Sequence, residues 1–369
     1  MNDLDSSLKR EFMMNISVAS YDIDVIVGDD VAVMLSDTVR DWFILINHVA
    51  ISTLICLFGA VGNCLSFAVF LRQGLRKSMN LSLFSISVSD FLGLVLQIWH
   101  NFCLNPYVGQ IESPLDLMQI QYLTAGWPNV TAVRITGWTT AFMTLERCLS
   151  IAIPLKIKQF ITFRRSVFII IMIYVLNVTA LSPLYLSAYF SWYNSPSYNH
   201  TKLGVSFRDN KLEIQGLVFI FHATLSITSF ILVIIFTAIL VLKLKQKSKW
   251  RKEATHDNNQ NEAISNRERK TVMLTIAVAV VLIVCYTPAV VGSITTAITP
   301  DFAITGKQAN VFHAVFSFAF VLHSINSSIN VAVYYKMSSR YRQTFQKLFL
   351  ARRRENDDRL EKNNSSLKF

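Results

Sequence analysis

The stretch TLERCLSIAIPLKIK, residues 144–158, closes one of the most apolar runs of the chain with an acid and a base side by side, Glu146 and Arg147. Pro154 stands seven residues after the arginine, and a basic string follows it. Charges inside a hydrocarbon layer are costly, whereas charges at its edge reach water. The pair therefore marks either an edge or a site, and the rest of the chain decides which.

Composition points to a membrane. Of 369 residues, 52% are hydrophobic and 16% charged, against roughly 25% charged in soluble domains. The apolar residues gather in seven runs, about 42–71, 79–103, 118–151, 166–190, 214–244, 270–298 and 308–335. Each meets the roughly 20 residues needed to cross a ~30 Å hydrocarbon core as a helix. Backbone groups in lipid must be satisfied within the segment or in a closed barrel. The alternating segments of about ten residues that build a barrel are absent. The expected fold is an all-α membrane protein, a seven-transmembrane helix bundle.

The net charge of +11 is a statement about topology. Counting Arg147, 27 of the 35 Lys and Arg fall on one side, in the connections 72–78, 152–165 and 243–270 and after residue 335. The positive-inside rule makes that side cytoplasmic and puts the N-terminus outside; no nucleic-acid partner is expected. Residues 1–41 hold nine acids, and sequons at Asn15 and Asn199 both fall outside in this topology. The first 30 residues contain no sustained apolar stretch of a cleavable signal peptide, so the first run is expected to act as a signal anchor. Three regions follow: an extracellular tail (1–41), a seven-span domain (42–335) and a cytoplasmic segment (336–369). In the last, Tyr341, Phe345, Leu348 and Phe349 share one helical face opposite Arg and Lys, the pattern of a short amphipathic eighth helix on the inner leaflet. Of five cysteines only Cys103 lies near the outer surface, so no disulfide framework is expected.

Each polar group inside a run needs a partner. Asn63, Asp90, Thr136, Asn326 and Asn330 lie at comparable depth, which predicts a buried network around Asp90, with Na⁺ a candidate occupant beside the carboxylate. Pro288, in CYTP (285–288), removes a backbone hydrogen bond and makes a hinge, with Tyr286 beside it. Glu268 precedes Pro288 by 20 residues, roughly 30 Å along a helix. If runs three and six are neighbours, it faces Arg147 in a breakable ion pair worth about a kcal/mol. Arg134 sits near the centre of run three, 13 residues or about 20 Å from Arg147. Two readings stay open for it: a counter-charge for an anionic or carbonyl-bearing ligand group, and an arginine satisfied by internal carbonyls and hydroxyls. Asn129 and Trp127 lie outward of it, with His100, His222, His313 and His323 elsewhere; these histidines read as helix residues rather than metal ligands.

Taken in order, GAVGN (59–63), LSLFSISVSD (81–90), ERC (146–148), CYTP (285–288) and NVAVYY (330–335) resemble the helix motifs of rhodopsin-like G-protein-coupled receptors, over about 42–350. The stretch from QYLTAGWP to PLKIKQFIT is similar to the molluscan and related invertebrate receptors labelled chemosensory, a branch near the neuropeptide receptors. The resemblance implies a plasma-membrane receptor for an extracellular peptide or small molecule, a neuropeptide or chemosensory cue. Inside the cell it implies a heterotrimeric G protein and arrestin as partners, with no cofactor and no enzymatic activity. It assigns the switch to Glu146, Arg147, Glu268 and Tyr334, and ligand contacts to His100, Asn129, Val133 and Arg134.

The chain also departs from the family pattern. Tyr122 stands near the expected helix-three cysteine, and loop 191–213 has no cysteine. Val331 replaces the seventh-helix proline, Tyr286 the sixth-helix tryptophan and Cys148 a tyrosine, and helix five lacks its proline. Ser324 falls near the retinal-binding lysine of visual pigments, which argues against an opsin. The alternative is a transporter or channel, which requires a continuous polar path and commonly repeated halves; no internal repeat is evident. A membrane enzyme requires acid/base or metal-ligand spacings such as His-x-x-x-His, which the runs lack.

Overall fold

The computed structural model describes residues 34–109, 111–153, 157–195, 200–208, 211–253, 259–299, 301–303 and 306–350. Asn15, Asn199 and the chain beyond 350 lie outside them. Among the described residues, seven long helices follow one another: α1 (Asp37–Gln73), α2 (Ser78–Cys103), α3 (Trp127–Ala152), α4 (Phe163–Thr179), α5 (Lys211–Glu253), α6 (Asn259–Ile298) and α7 (Ala309–Met337). A short α8 (Ser339–Phe345) follows α7, and among the described residues the strands are a hairpin of β1 (Ala188–Ser195) and β2 (His200–Phe207).

Local chemistry sets the ends. Ser36 caps α1, its Oγ accepting from the Val39 N–H at 3.4 Å, so the helix begins inside the stretch read as tail. Gly74 ends α1 at φ +82°, where a Cβ is disfavoured, and its carbonyl accepts from Asn80 Nδ2 at 2.9 Å. Thr162 caps α4 and Ser338 caps α8 through the Tyr341 N–H.

Six of the helices are long and apolar enough to cross a membrane, and α3 is not among them. It carries Arg134, Glu146, Arg147 and a ladder of threonines at 131, 136, 139, 140 and 144. Fifteen of its 26 residues are buried, against four of 17 in α4. The polar helix is thus the central one, wrapped by α2, α4, α5 and α6, while α4 turns Phe168, Ile171, Val175 and Val178 outward as lipid-facing apolar surface. Close approach between α1 and α7 rests on the GAVGN glycines. A Cβ at Gly59 would overlap the Ser328 side chain, and one at Gly62 would sit 3.1 Å from Val331. Val331, which stands at a proline position of the resembled family, fills that contact.

At the far end from Arg147 the hairpin is tied to the segment that leads into α3. β1 and β2 pair antiparallel from Ala188↔Phe207 to Ser195↔His200. The Leu203 N–H donates to the Pro114 carbonyl at 2.7 Å, and the Asp116 N–H donates to the Leu203 carbonyl at 2.9 Å. Tyr193 Oη donates to Asp116 Oδ2 at 2.5 Å, and the Val205 N–H to Gln119 Oε1 at 2.9 Å. Beneath, Tyr122 packs edge-on against Phe207 at 6.2 Å over a buried cluster of Leu123, Leu181, Leu184 and Val218. All five cysteines are free. Hydrogen bonds and an aromatic contact therefore do here what a cross-link does elsewhere.

Two outcomes test this tie. Dithiothreitol leaves the thermal unfolding midpoint of the purified protein unchanged. Tyr193→Phe lowers stability by about 1.5–3 kcal/mol, the net worth of one hydrogen bond to a charged group, read as a lower unfolding midpoint in detergent. A midpoint that drops on reduction of the unmodified protein would refute the assignment.

Candidate functional site

The Glu146–Arg147 pair sits where α3 leaves the core. Arg147 Nη2 lies 2.6 Å from Glu146 Oε1. The other carboxylate oxygen accepts from Ser78 Oγ at 2.7 Å, and Ser78 Oγ lies 2.8 Å from Ser166 Oγ. Glu146 thereby joins the starts of α2 and α4 to α3. The sequence offered no sign of these two serines beyond their place at the first turns of their helices. Arg147 keeps its buried Nε without a hydrogen-bond partner.

Beside Arg147 opens a cavity of about 290 Å³, with Lys270 and Thr271 of α6 on the opposite wall and Tyr334 and Tyr341 among its lining residues. The two helix ends expected to be neighbours thus share one cavity. Glu268 belongs to that same start of α6, and its side chain lies outside the described residues. Tyr334 is fully buried, ring to ring with Phe70 at 5.5 Å and Tyr341 at 5.7 Å, and Tyr341 Oη lies 2.8 Å from Ser66 Oγ. The aromatic face expected to lie on lipid is therefore partly folded into the bundle through Tyr341. Cys148 donates its thiol to the Phe236 carbonyl at 3.1 Å and packs with Leu240 and Val272, linking α3 to α5 and α6.

At mid-depth the polar residues converge on one carboxylate. Asp90 Oδ1 accepts from Thr136 Oγ1 at 2.9 Å and Ser327 Oγ at 3.1 Å, and Oδ2 accepts from Asn330 Nδ2 at 2.7 Å. Asn63 Nδ2 donates to the carbonyls of Gly59 and Ser327, both at 2.9 Å. Three helices besides α2 are thus pinned to Asp90 directly or through Ser327. Ser327 escaped the sequence reading because a serine in an apolar run carries no distinctive signal. Asn326 is buried with its Nδ2 unpartnered, so it stands beside the network rather than in it.

Above that layer, Tyr286 Oη donates to the Val133 carbonyl at 3.1 Å, and its ring meets His323 at 4.8 Å. This bond crosses from α6 to α3 two residues from Pro288, inside the helix. Arg134 points the other way. Its Nε donates to Asn177 Oδ1 at 2.6 Å, Nη2 to the Asn177 carbonyl at 3.0 Å, and Nη1 lies 2.8 Å from His222 Nδ1. It makes no ion pair among the described residues, and it is 3% exposed. The arginine lashes α3 to α4 and α5, and since its guanidinium donates, His222 Nδ1 accepts and the imidazole is neutral.

The four residues expected around a ligand are not one cluster. Asn129 Nδ2 donates to the Gly93 carbonyl at 2.7 Å and bolts α3 to α2. His100 Nδ1 lies 2.7 Å from Gln121 Oε1, and its ring meets His48 at 5.7 Å and Phe320 at 5.2 Å. Val133 and Arg134 share a helix turn and face different neighbours. No group of three or more His, Cys, Asp or Glu among the described residues is placed to hold a metal ion.

The comparisons agree with this geometry. Residues 50–352 match the family model of the serpentine type 7TM GPCR chemoreceptor Srw. The chain is 26% identical over 305 residues to neuromedin-U receptor 2 of Rattus norvegicus, covering 79% of this chain and 72% of that one. It is 27% identical over 319 residues to the thyrotropin-releasing hormone receptor of Bos taurus, covering 80% and 76%. Galanin receptor 2b of Danio rerio matches at 22% over 304 residues, 80% and 73% covered. Because the family model spans most of the chain, the bundle is that of a multi-pass membrane signalling receptor rather than an enzyme, and the chain belongs to the serpentine seven-transmembrane G-protein-coupled chemoreceptor family Srw.

Proposed function

We propose that this receptor takes a neuropeptide or a comparable water-borne chemosensory cue at its hairpin end, and that this end is extracellular. The charge asymmetry supports the orientation: the Arg147 end carries most of the Lys and Arg. The relatives' names support a peptide ligand, and the family name supports a chemosensory one. Glycans at Asn15 and Asn199 and an arrestin partner belong to the same reading.

The observation that carries the mechanism is the Tyr286–Val133 bond beside Pro288. A ligand that engages this layer breaks the bond and lets α6 pivot about the proline, where no backbone N–H resists bending. The far end of α6 then swings from the cavity at Arg147, which is freed from Glu146 and Glu268 to meet the G protein. Such a ligand must bind the open arrangement more tightly, or no population shifts. Asp90 anchors α2, α3 and α7 as the frame against which α6 moves. The unpartnered, buried Oδ1 atoms of Asn63 and Asn330 fit a Na⁺ held in that network. For Arg134 we propose a strut that positions α4 and α5 around the ligand cavity, since neutral partners inside the bundle occupy its donors. His100, Asn129 and Val133 then shape the same end from α2 and α3. A transporter reading finds no support in the apolar layer of Ala141, Val233, Ala279 and Leu282 between the two polar levels.

Three measurements test this. Tyr286→Phe raises ligand-independent signalling about fivefold, the population change that ~1 kcal/mol produces, in a cell reporter normalised to surface receptor. Glu268→Ala likewise raises basal output; unchanged output at normal surface density sinks the lock. Arg134→Ala strands buried Asn177 and depletes the receptor from the surface. A mutant that reaches the surface at normal density and loses only its ligand response shows instead that Arg134 is a counter-charge for the ligand.

A further inference from the structure

The cavity beside Arg147 has a chemistry that G-protein docking alone does not explain. Four cationic side chains line it, Arg147, Lys270, Arg340 and Lys77, and no carboxylate does so among the described residues. The nearby Glu146 is turned to Ser78 and Arg147. The hydroxyls of Ser339 and Thr271 add donors at the rim, while Leu83 and Leu274 make an apolar floor. Like charges around a concave, partly apolar wall focus their field inward and concentrate a counter-ion there. Arginine and lysine together favour phosphate, which accepts bidentate and point-charge donors alike. A volume of about 290 Å³ exceeds what one inorganic phosphate fills and suits a phosphorylated polyol.

We propose that this cavity is an anion site for a phosphorylated polyol, bound by Lys270, Arg340 and Arg147, and that the bound anion holds α6 against α3 and α8 in competition with the G protein. This rests on the receptor reading above for its consequence, though not for the binding itself. The bridge is electrostatic: the anion joins Lys270 of α6 and Arg340 of α8 to Arg147 of α3, which among the described residues Glu146 alone now pairs. When α6 swings away Lys270 leaves, so the anion favours the closed arrangement.

The same chemistry is offered by a soluble inositol phosphate and by a phosphoinositide headgroup of the inner leaflet, and the test separates them. Inositol trisphosphate is titrated into the full-length receptor in detergent free of anionic lipid. In parallel, nucleotide exchange on a purified heterotrimer is measured in phosphatidylcholine vesicles with and without phosphatidylinositol bisphosphate. Saturable binding is expected that weakens as salt rises. Lys270→Gln and Arg340→Gln each weaken it about tenfold. Exchange that falls only with the lipid form, and recovers in both charge variants, supports the site and assigns it to the membrane. Absence of any response to both forms overturns the proposal, as does a response that Lys270→Gln and Arg340→Gln leave unchanged. If no heterotrimer exchanges nucleotide even in neutral vesicles, the coupling reading falls while the binding titration still decides the anion site.

Discussion

The constraint on which the rest depends is that α3 is too polar to face lipid. A helix bearing Arg134, Glu146, Arg147 and five threonines is stable in a bilayer only when other helices supply its hydrogen-bond partners. The bundle answers much of that demand, with Ser78 at Glu146, Asp90 at Thr136, Tyr286 at Val133, Asn177 and His222 at Arg134, and Gly93 at Asn129, while Thr139 Oγ1, Thr140 Oγ1 and Arg147 Nε stay without a partner. The partners lie on four neighbours, α2, α4, α5 and α6, so satisfying one helix fixes the placement of four. The outer helices then need only apolar surface, which is why α4 and α1 read as simple runs.

That division explains what was legible. Six of the long helices and their order follow from hydropathy, which reports on the lipid-facing surface, whereas α3 falls short of it and Tyr341 of the amphipathic end turns into the bundle. Around Asp90, Thr136 and Asn330 were legible from their common depth, whereas Ser327 was not and Asn326 stands apart. The partners of Arg134 were not. Asn177 and His222 lie in predominantly apolar runs, and the rotation of α4 and α5 about their axes decides whether they point inward. Helix rotation is set by packing over the whole length, which a single sequence leaves open. The same holds for Ser78 and Ser166, and for the hairpin, whose aromatic strand Tyr189–Tyr193 lay at the edge of an apolar run.

Polar residues here act in two ways that differ in replaceability. Arg134 bonds to two helices through three donors and leaves orphaned groups when removed, the costly case for a buried site. Tyr286 makes one crossing bond at a helix already weakened by proline. Contacts that must hold are multiple and saturated, whereas the contact that must break is single. The arrangement places low resistance between two rigid layers, where a modest difference in binding energy is enough to shift a population.

The tie between hairpin and α3 through Asp116, Gln119 and Tyr193 bears on how the protein is made. A fold whose end is closed by a cystine is incomplete until an oxidant has acted and wrong pairings have been undone, steps that take seconds to hours. Here closure needs only chain docking. Maturation is then independent of thiol oxidation, and synthesis in a reducing extract supplemented with bilayer discs yields the same closed end as synthesis in an oxidising compartment.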